Sequence, residues 1–272
     1  MQFFFTNFLS VSVKVGLSLL LLLFLPSCTP PDSTSELLQA LQDAQGGLLG
    51  EALFRSELCL RNHPEDVNAL LLNSYCIFVT ATEPSQKAKA LFNLDKATRL
   101  APDSFTAWYY YGWALCENQQ YREALPILEK AFELLPAGSS KKGEVLLLLS
   151  RCSSYNNLQD KGLKYLQPLR IHSPYNRWAE VYNNLGILAL NRTDYPGAER
   201  SFKQALELEP NSPDLLQNLA VTYDLYLNDP IKAKKTYIQC LLALGNQEHL
   251  QTRLQIQNRL RQLTARQQSP TP

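Results

Sequence analysis

Histidine is scarce in this chain. Its 272 residues hold three, His63, His172 and His249, and the first two stand one and two residues before Pro64 and Pro174, where turns are expected. No H-E-x-x-H, G-x-S-x-G or glycine-rich phosphate loop occurs, so metalloprotease, serine-hydrolase and nucleotide chemistry have no residues to act through. Asp and Glu are scattered over what read as helix exteriors, where a solvated face accounts for them. The chain therefore reads as a non-enzyme, with no catalytic residue and no cofactor. Charge of one sign is also missing, with 26 Lys and Arg against 25 Asp and Glu. Affinity for nucleic acid depends on basic patches that release counterions, so no nucleic-acid partner is expected. The six cysteines contain no C-x-x-C pair, which removes the usual zinc and redox motifs and leaves no expected metal site.

What is present begins with a run of apolar residues, Val15 to Leu25, that follows Lys14 and ends in Leu25-Pro26-Ser27-Cys28. It is too short to span a bilayer and reads as a signal peptide over residues 1–27. Lys14 is the only charged residue in it, so the rest of the chain is electrically balanced. Leu at −3, Ser at −1 and Cys at +1 resemble the lipobox of bacterial lipoproteins. That resemblance implies that Cys28 is acylated on its sulfur, becomes the new N-terminus and is acylated again, giving a membrane contact through lipid. Thr29 after the cysteine resembles the pattern of lipoproteins sent to the outer membrane, facing the periplasm. An ordinary signal peptide or an uncleaved anchor is the alternative. Residues 28–35 read as a tether with a reach of roughly 25 Å, which would hold the folded part close to the membrane.

The body of the chain is repetitive. Within Phe105–Gly138, Trp108, Tyr111-Gly112, Leu115, Tyr121, Ala124, Leu128, Ala131 and Pro136 fall at offsets that recur in Ala179–Ser212 as Tyr182, Leu185-Gly186, Ala189, Tyr195, Ala198, Phe202, Ala205 and Pro210. Weaker copies cover Ser33–Asp66, Val67–Asp103, Gly143–Asn176 and Pro213–Asn246, with extra residues near Thr80–Ser85 and a one-residue slip near Asp229-Pro230. This spacing resembles the tetratricopeptide repeat, a pair of antiparallel helices. The resemblance implies an all-α fold, a right-handed superhelix or α-solenoid of about six helix-turn-helix repeats over residues 36–245. Residues 246–268, with Leu250, Leu254, Leu260 and Leu263 among Arg253, Arg259, Arg261 and Arg266, read as a C-terminal capping helix, although its arginines suit anionic lipid as well. Residues 269–272 read as a disordered tail.

In each repeat, glycine and alanine mark close helix crossings: Gly112 and Gly186 on first helices, Ala124 and Ala198 on second helices. Members of the family use fixed positions of each first helix to line a concave groove for a partner polypeptide. Carried over residue by residue, these positions place Leu71, Tyr75, Phe78 and neighbouring Val79 beside Tyr109 and Trp113, then Leu147, Arg151 and Tyr155, then Asn183 and Ile187, then Gln217. The wall is aromatic toward the N-terminal end and polar and mildly acidic toward the other. It would suit an extended peptide or an amphipathic helix with an apolar or aromatic anchor. The Lys and Asn clamp for a C-terminal carboxylate is absent from the matching positions. The same mapping puts Cys116 and Cys152 on neighbouring first helices, where small buried thiols are the plain reading and a disulfide the other.

A lipid anchor and about six repeats also resemble the pilotin lipoproteins of type IV pili, which bind a secretin subunit and help it assemble in the outer membrane. The expectation is a membrane-anchored interaction scaffold or assembly factor. The alternatives are a pilotin-like factor for secretin assembly and, in its place, an adaptor for outer-membrane protein assembly or for peptidoglycan enzymes.

Overall fold

The computed structural model describes residues 31–244 and 250–268, so Cys28, the leader, His249 and the final residues lie outside it. Among the described residues there are thirteen α-helices and no strand. They run α1 (Pro31–Gln45), α2 (Leu49–Asn62), α3 (Val67–Thr80), α4 (Pro84–Leu100), α5 (Phe105–Glu117), α6 (Tyr121–Glu133), α7 (Lys142–Tyr155), α8 (Gln159–Ile171), α9 (Ala179–Asn191), α10 (Tyr195–Leu208), α11 (Pro213–Val221), α12 (Pro230–Ala243) and α13 (Leu250–Gln268). Odd-numbered helices up to α11 open the six repeats and even-numbered ones close them. α1 includes Pro31 to Ser35, part of the stretch expected to be tether. The extra residues after Thr80 mostly lengthen α4 to 17 residues, leaving only Ala81-Thr82-Glu83 as a link.

Helix starts follow local chemistry. Asp66 accepts from the Ala69 amide at 3.0 Å, Ser104 from Ala107 at 3.3 Å, Asp194 from Gly197 at 2.9 Å and Asp229 from Lys232 at 3.0 Å. Each satisfies one of the amides that a helix N-terminus leaves without a partner. The turns inside the hairpins share another device. Gln119, Asn157 and Thr193 occupy the same position in their repeats and all have positive φ, the left-handed cap that lets a helix stop and reverse.

The chain divides into two compact units between Asn156 and Asn157, within the fourth repeat. In the N-terminal unit, the core is formed by the buried side chains of α1 to α7, with Leu71, Leu94, Tyr109, Leu128 and Leu147 almost wholly enclosed. A Cβ added to Gly112 would sit 2.6 Å from Leu128 Cδ2, so the α5–α6 crossing is closed by the absence of a side chain. The C-terminal unit repeats the arrangement at Gly186, where a Cβ would lie 2.5 Å from Phe202 Cε1. Its core joins Ile187, Phe202, Leu216, Tyr223, Tyr237 and Cys240 with Ile256 and Leu263 of α13.

Two details of this unit differ from the sequence expectation. The one-residue slip is not at Asp229-Pro230 but upstream, in a π-helical turn over Thr222–Tyr226, where the Leu227 amide reaches back to Thr222 O at 2.9 Å. A wide turn absorbs an inserted residue without breaking the helix. The positive-φ residue of this repeat, Asn228, accordingly comes one position late. On α13, the buried apolar positions are Ile256 and Leu263, whereas Leu250 and Leu254 are exposed. Arg259 is not a surface cation for lipid. Its Nε and Nη2 grip Asp224 at 2.6 and 2.7 Å, and Tyr237 donates to the same carboxylate at 3.2 Å.

Candidate functional site

The sequence placed a partner-binding wall on the first helices. In the N-terminal unit that wall is mostly closed. Leu71, Phe78, Tyr109, Trp113, Leu147 and Arg151 are buried, while Tyr75 and Tyr155 are half-buried. The reason is packing between repeats: α3, α5 and α7 lie side by side, and large side chains at these offsets fill the seams between them instead of facing solvent. The expectation that Leu71, Phe78, Tyr109, Trp113, Leu147 and Arg151 form an open surface is corrected by this burial.

What stays accessible is the lip of an aromatic cluster. Trp113 sits 5.7 Å from the rings of both Tyr75 and Phe78, and Tyr110 lies 6.0 Å from Tyr75 in an edge-on arrangement. Tyr75 is the half-buried member, and Val79, one turn along α3, is 49% exposed. Rings held by their neighbours offer area to a partner without losing much freedom on binding. Burial raises the Tyr75 hydroxyl above its ordinary range, so it stays protonated at neutral pH.

In the neighbouring seam between α5 and α7, charged and hydroxyl groups pair across the helices, although Nε and Nη1 of Arg151 are buried without a hydrogen-bond partner. Tyr109 donates to Glu144 Oε2 at 2.8 Å, and Lys141 Nζ closes on both oxygens of that carboxylate at 2.8 and 2.9 Å. Burial, then Glu144, drive the Tyr109 hydroxyl well above its ordinary pKa. Arg151 Nη2 meets Glu117 Oε1 at 2.9 Å, and its guanidinium carbon lies 5.8 Å from the Tyr121 ring. Tyr121 in turn stacks on Tyr155 with 4.0 Å between centroids. These contacts hold repeats together. Glu144 stands at the second position of its repeat, Gly143–Asn176, so its place on a first helix is legible from spacing, whereas Lys141 precedes that repeat and carries no signal.

In the C-terminal unit, Asn183 and Ile187 are buried and Gln217 is half-buried, so Asn183 and Ile187 too are corrected from wall to seam. Asn218 donates to Asn183 at 2.8 Å, an amide pair bridging α9 and α11. The expected acidity is partly cancelled by the Asp224–Arg259 pair. An open notch of about 440 Å³ has Arg170, Tyr182, Asp194 and Arg200 on its wall and none of the expected groove residues. Among the described residues no three His, Cys, Asp or Glu side chains are gathered as metal ligands would be.

Tetratricopeptide-repeat family models match residues 93–125, 179–212 and 201–252. The chain carries tetratricopeptide repeats. Such repeats are protein-interaction modules, and this protein is a scaffold of that kind. No curated protein sequence matches it. Among solved structures, it resembles PilW, a widely conserved type IV pilus biogenesis factor, with a TM-score of 0.66 and 19% identity over 83% of this chain and all of PilW. A tetratricopeptide protein of Parabacteroides merdae gives a TM-score of 0.62 at 12% identity, over 87% of this chain and 90% of its own. PilF of Pseudomonas aeruginosa gives 0.58 at 17% identity, over 82% of this chain and 97% of its own. At these identities the likeness is one of fold.

Proposed function

We propose that this tetratricopeptide protein is a membrane-tethered assembly factor of the bacterial envelope, which holds another polypeptide at the Tyr75–Val79 lip of its N-terminal unit. The observation that carries the reading is an aromatic cluster with three buried members and one half-buried ring beside an exposed aliphatic residue. A partner would insert an apolar anchor against Tyr75 and Val79, from an extended segment or an amphipathic helix. Lipid on Cys28, facing the periplasm from the outer membrane, would supply the tether. The shared fold with PilW favours type IV pilus biogenesis as the process, with a pilotin-like action on the secretin.

The test is Cys28→Ser in a piliated bacterium that makes this chain. The variant should leave the membrane fraction, lose labelling by a palmitate analogue and lower the yield of secretin multimers. A variant that stays membrane-bound and labelled refutes the anchor. Undiminished multimers after deletion of the whole chain refute the pilotin-like action.

A further inference from the structure

Two buried sulfur atoms touch. Cys116 Sγ on α5 and Cys152 Sγ on α7 are 2.9 Å apart, closer than unbonded sulfurs ordinarily rest, and both residues are buried. Their helices belong to one compact unit and open successive repeats. The other described cysteines, Cys59, Cys76 and Cys240, are also buried, and Cys240 meets the carbonyl of Pro213 instead of a sulfur.

We propose that Cys116 and Cys152 are a disulfide-forming pair that staples the third repeat to the fourth. The two positions are 36 residues apart, so the bond closes a long loop across the seam that Glu117 and Arg151 already bridge. Zinc binding is the weaker use of the same thiols, because no third ligand stands with them among the described residues and the Arg151 cation is close enough to act on both sulfurs.

The reaction needs a two-electron oxidant, and the class that fits is an external disulfide, either glutathione disulfide or that of a thiol oxidase. One cysteine loses its proton to solvent and attacks a sulfur of the oxidant, which releases one thiol and leaves a mixed disulfide. The second cysteine, likewise deprotonated, attacks the chain-borne sulfur of that mixed disulfide. The Cys116–Cys152 bond forms and the second oxidant thiol departs. Two electrons have passed from the pair to the oxidant, and the two protons released are taken up by the departing thiolates.

The setting also fixes when this happens. The contact with Cys116 and burial both push the Cys152 pKa far up, with the nearby Arg151 charge opposing them, so in the folded chain Cys152 is held as a thiol out of reach of a bulky oxidant. Oxidation therefore belongs to folding, before α7 closes on α5, or to local opening of that seam.

The experiment uses the full chain with Cys28→Ser, so that the Cys28 thiol does not compete. It is refolded from the reduced, denatured state in a mixture of oxidised and reduced glutathione, then denatured and alkylated. Before alkylation the expected product is two hydrogens lighter than the reduced chain, and after alkylation it contains a Cys116 peptide linked to a Cys152 peptide, with Cys59, Cys76 and Cys240 alkylated. Relative to the reduced chain, the thermal midpoint of the N-terminal unit should rise by roughly 5–10 °C. Adding Cys116→Ser should abolish both the link and the rise, and the folded reduced chain should oxidise roughly 10-fold more slowly than the refolding one. Complete alkylation of all five thiols after refolding, or links that involve Cys59, Cys76 or Cys240 instead, overturns the proposal. Oxidation as fast in the folded chain as during refolding overturns its timing.

Discussion

The hydroxyl of Tyr109 donates to Glu144 Oε2 at 2.8 Å, a bond between two first helices in a seam that Lys141 also closes. Tyr109 is wholly buried, so its ring and hydroxyl hold repeats together and are not available as a partner's contact. Tyr109→Phe should lower the stability of the N-terminal unit by about 1.5–3 kcal/mol, as expected for losing a hydrogen bond to a partly buried carboxylate. Urea unfolding followed at Trp113 measures it, and an unchanged midpoint would contradict the assigned bond.

The two glycine crossings differ in what a methyl group would strike. At Gly186 it meets the rigid ring of Phe202, and at Gly112 both Cγ and Cδ2 of Leu128. Gly186→Ala should cost about 1–3 kcal/mol and Gly112→Ala less, since a leucine can turn aside more easily than a packed ring. Equal losses in thermal unfolding would show that the backbone, not the side chain, sets the crossing.

Much of this was legible beforehand, because glycine, alanine and large residues at fixed offsets encode helix crossings directly. Gly112 against Leu128 and Gly186 against Phe202 could be paired from spacing alone. The seam was not legible. Whether Tyr109 or Trp113 faces a groove or a neighbouring repeat depends on how closely α3, α5 and α7 approach, and that distance is set by side chains from three repeats at once. The π turn at Thr222–Tyr226 was equally hidden, since an extra residue can be absorbed anywhere before the next cap and Asp229-Pro230 carried the louder local signal.

α13 is tied down by Asp224, whose carboxylate receives two bonds from Arg259. Asp224→Ala leaves that guanidinium without its partner in a partly buried site, where breaking a buried pair costs about 3–5 kcal/mol. Limited proteolysis should then release α13 while α9 to α12 survive. Unchanged resistance would mean that Ile256 and Leu263 hold the helix by themselves.

Stability should be flat near neutral pH and fall at both ends. Hydrogen bonds from Lys203 and Tyr223 hold Glu199 below the usual carboxylate range, and the Lys232 amide and side chain do the same for Asp229. Their contribution is present above about pH 4 and is lost as pH falls through the lowered folded values. Burial raises Cys59 to about 11 and Cys76 to about 12, so their contribution is present below about pH 9 and is lost as pH rises toward those values. Thermal midpoints measured across the range check both limbs, and a maximum outside the neutral region would contradict these assignments.

The proposed function requires a polypeptide to dock at the exposed edge of the Tyr75 cluster. A photoreactive residue replacing Val79 should crosslink one partner chain in living cells, and the capture should drop at least about 10-fold with Tyr75→Ala, while the same probe at exposed Phe92 on α4 captures nothing specific. Equal capture at both positions, or capture at Val79 that survives Tyr75→Ala, would rule out docking at this edge.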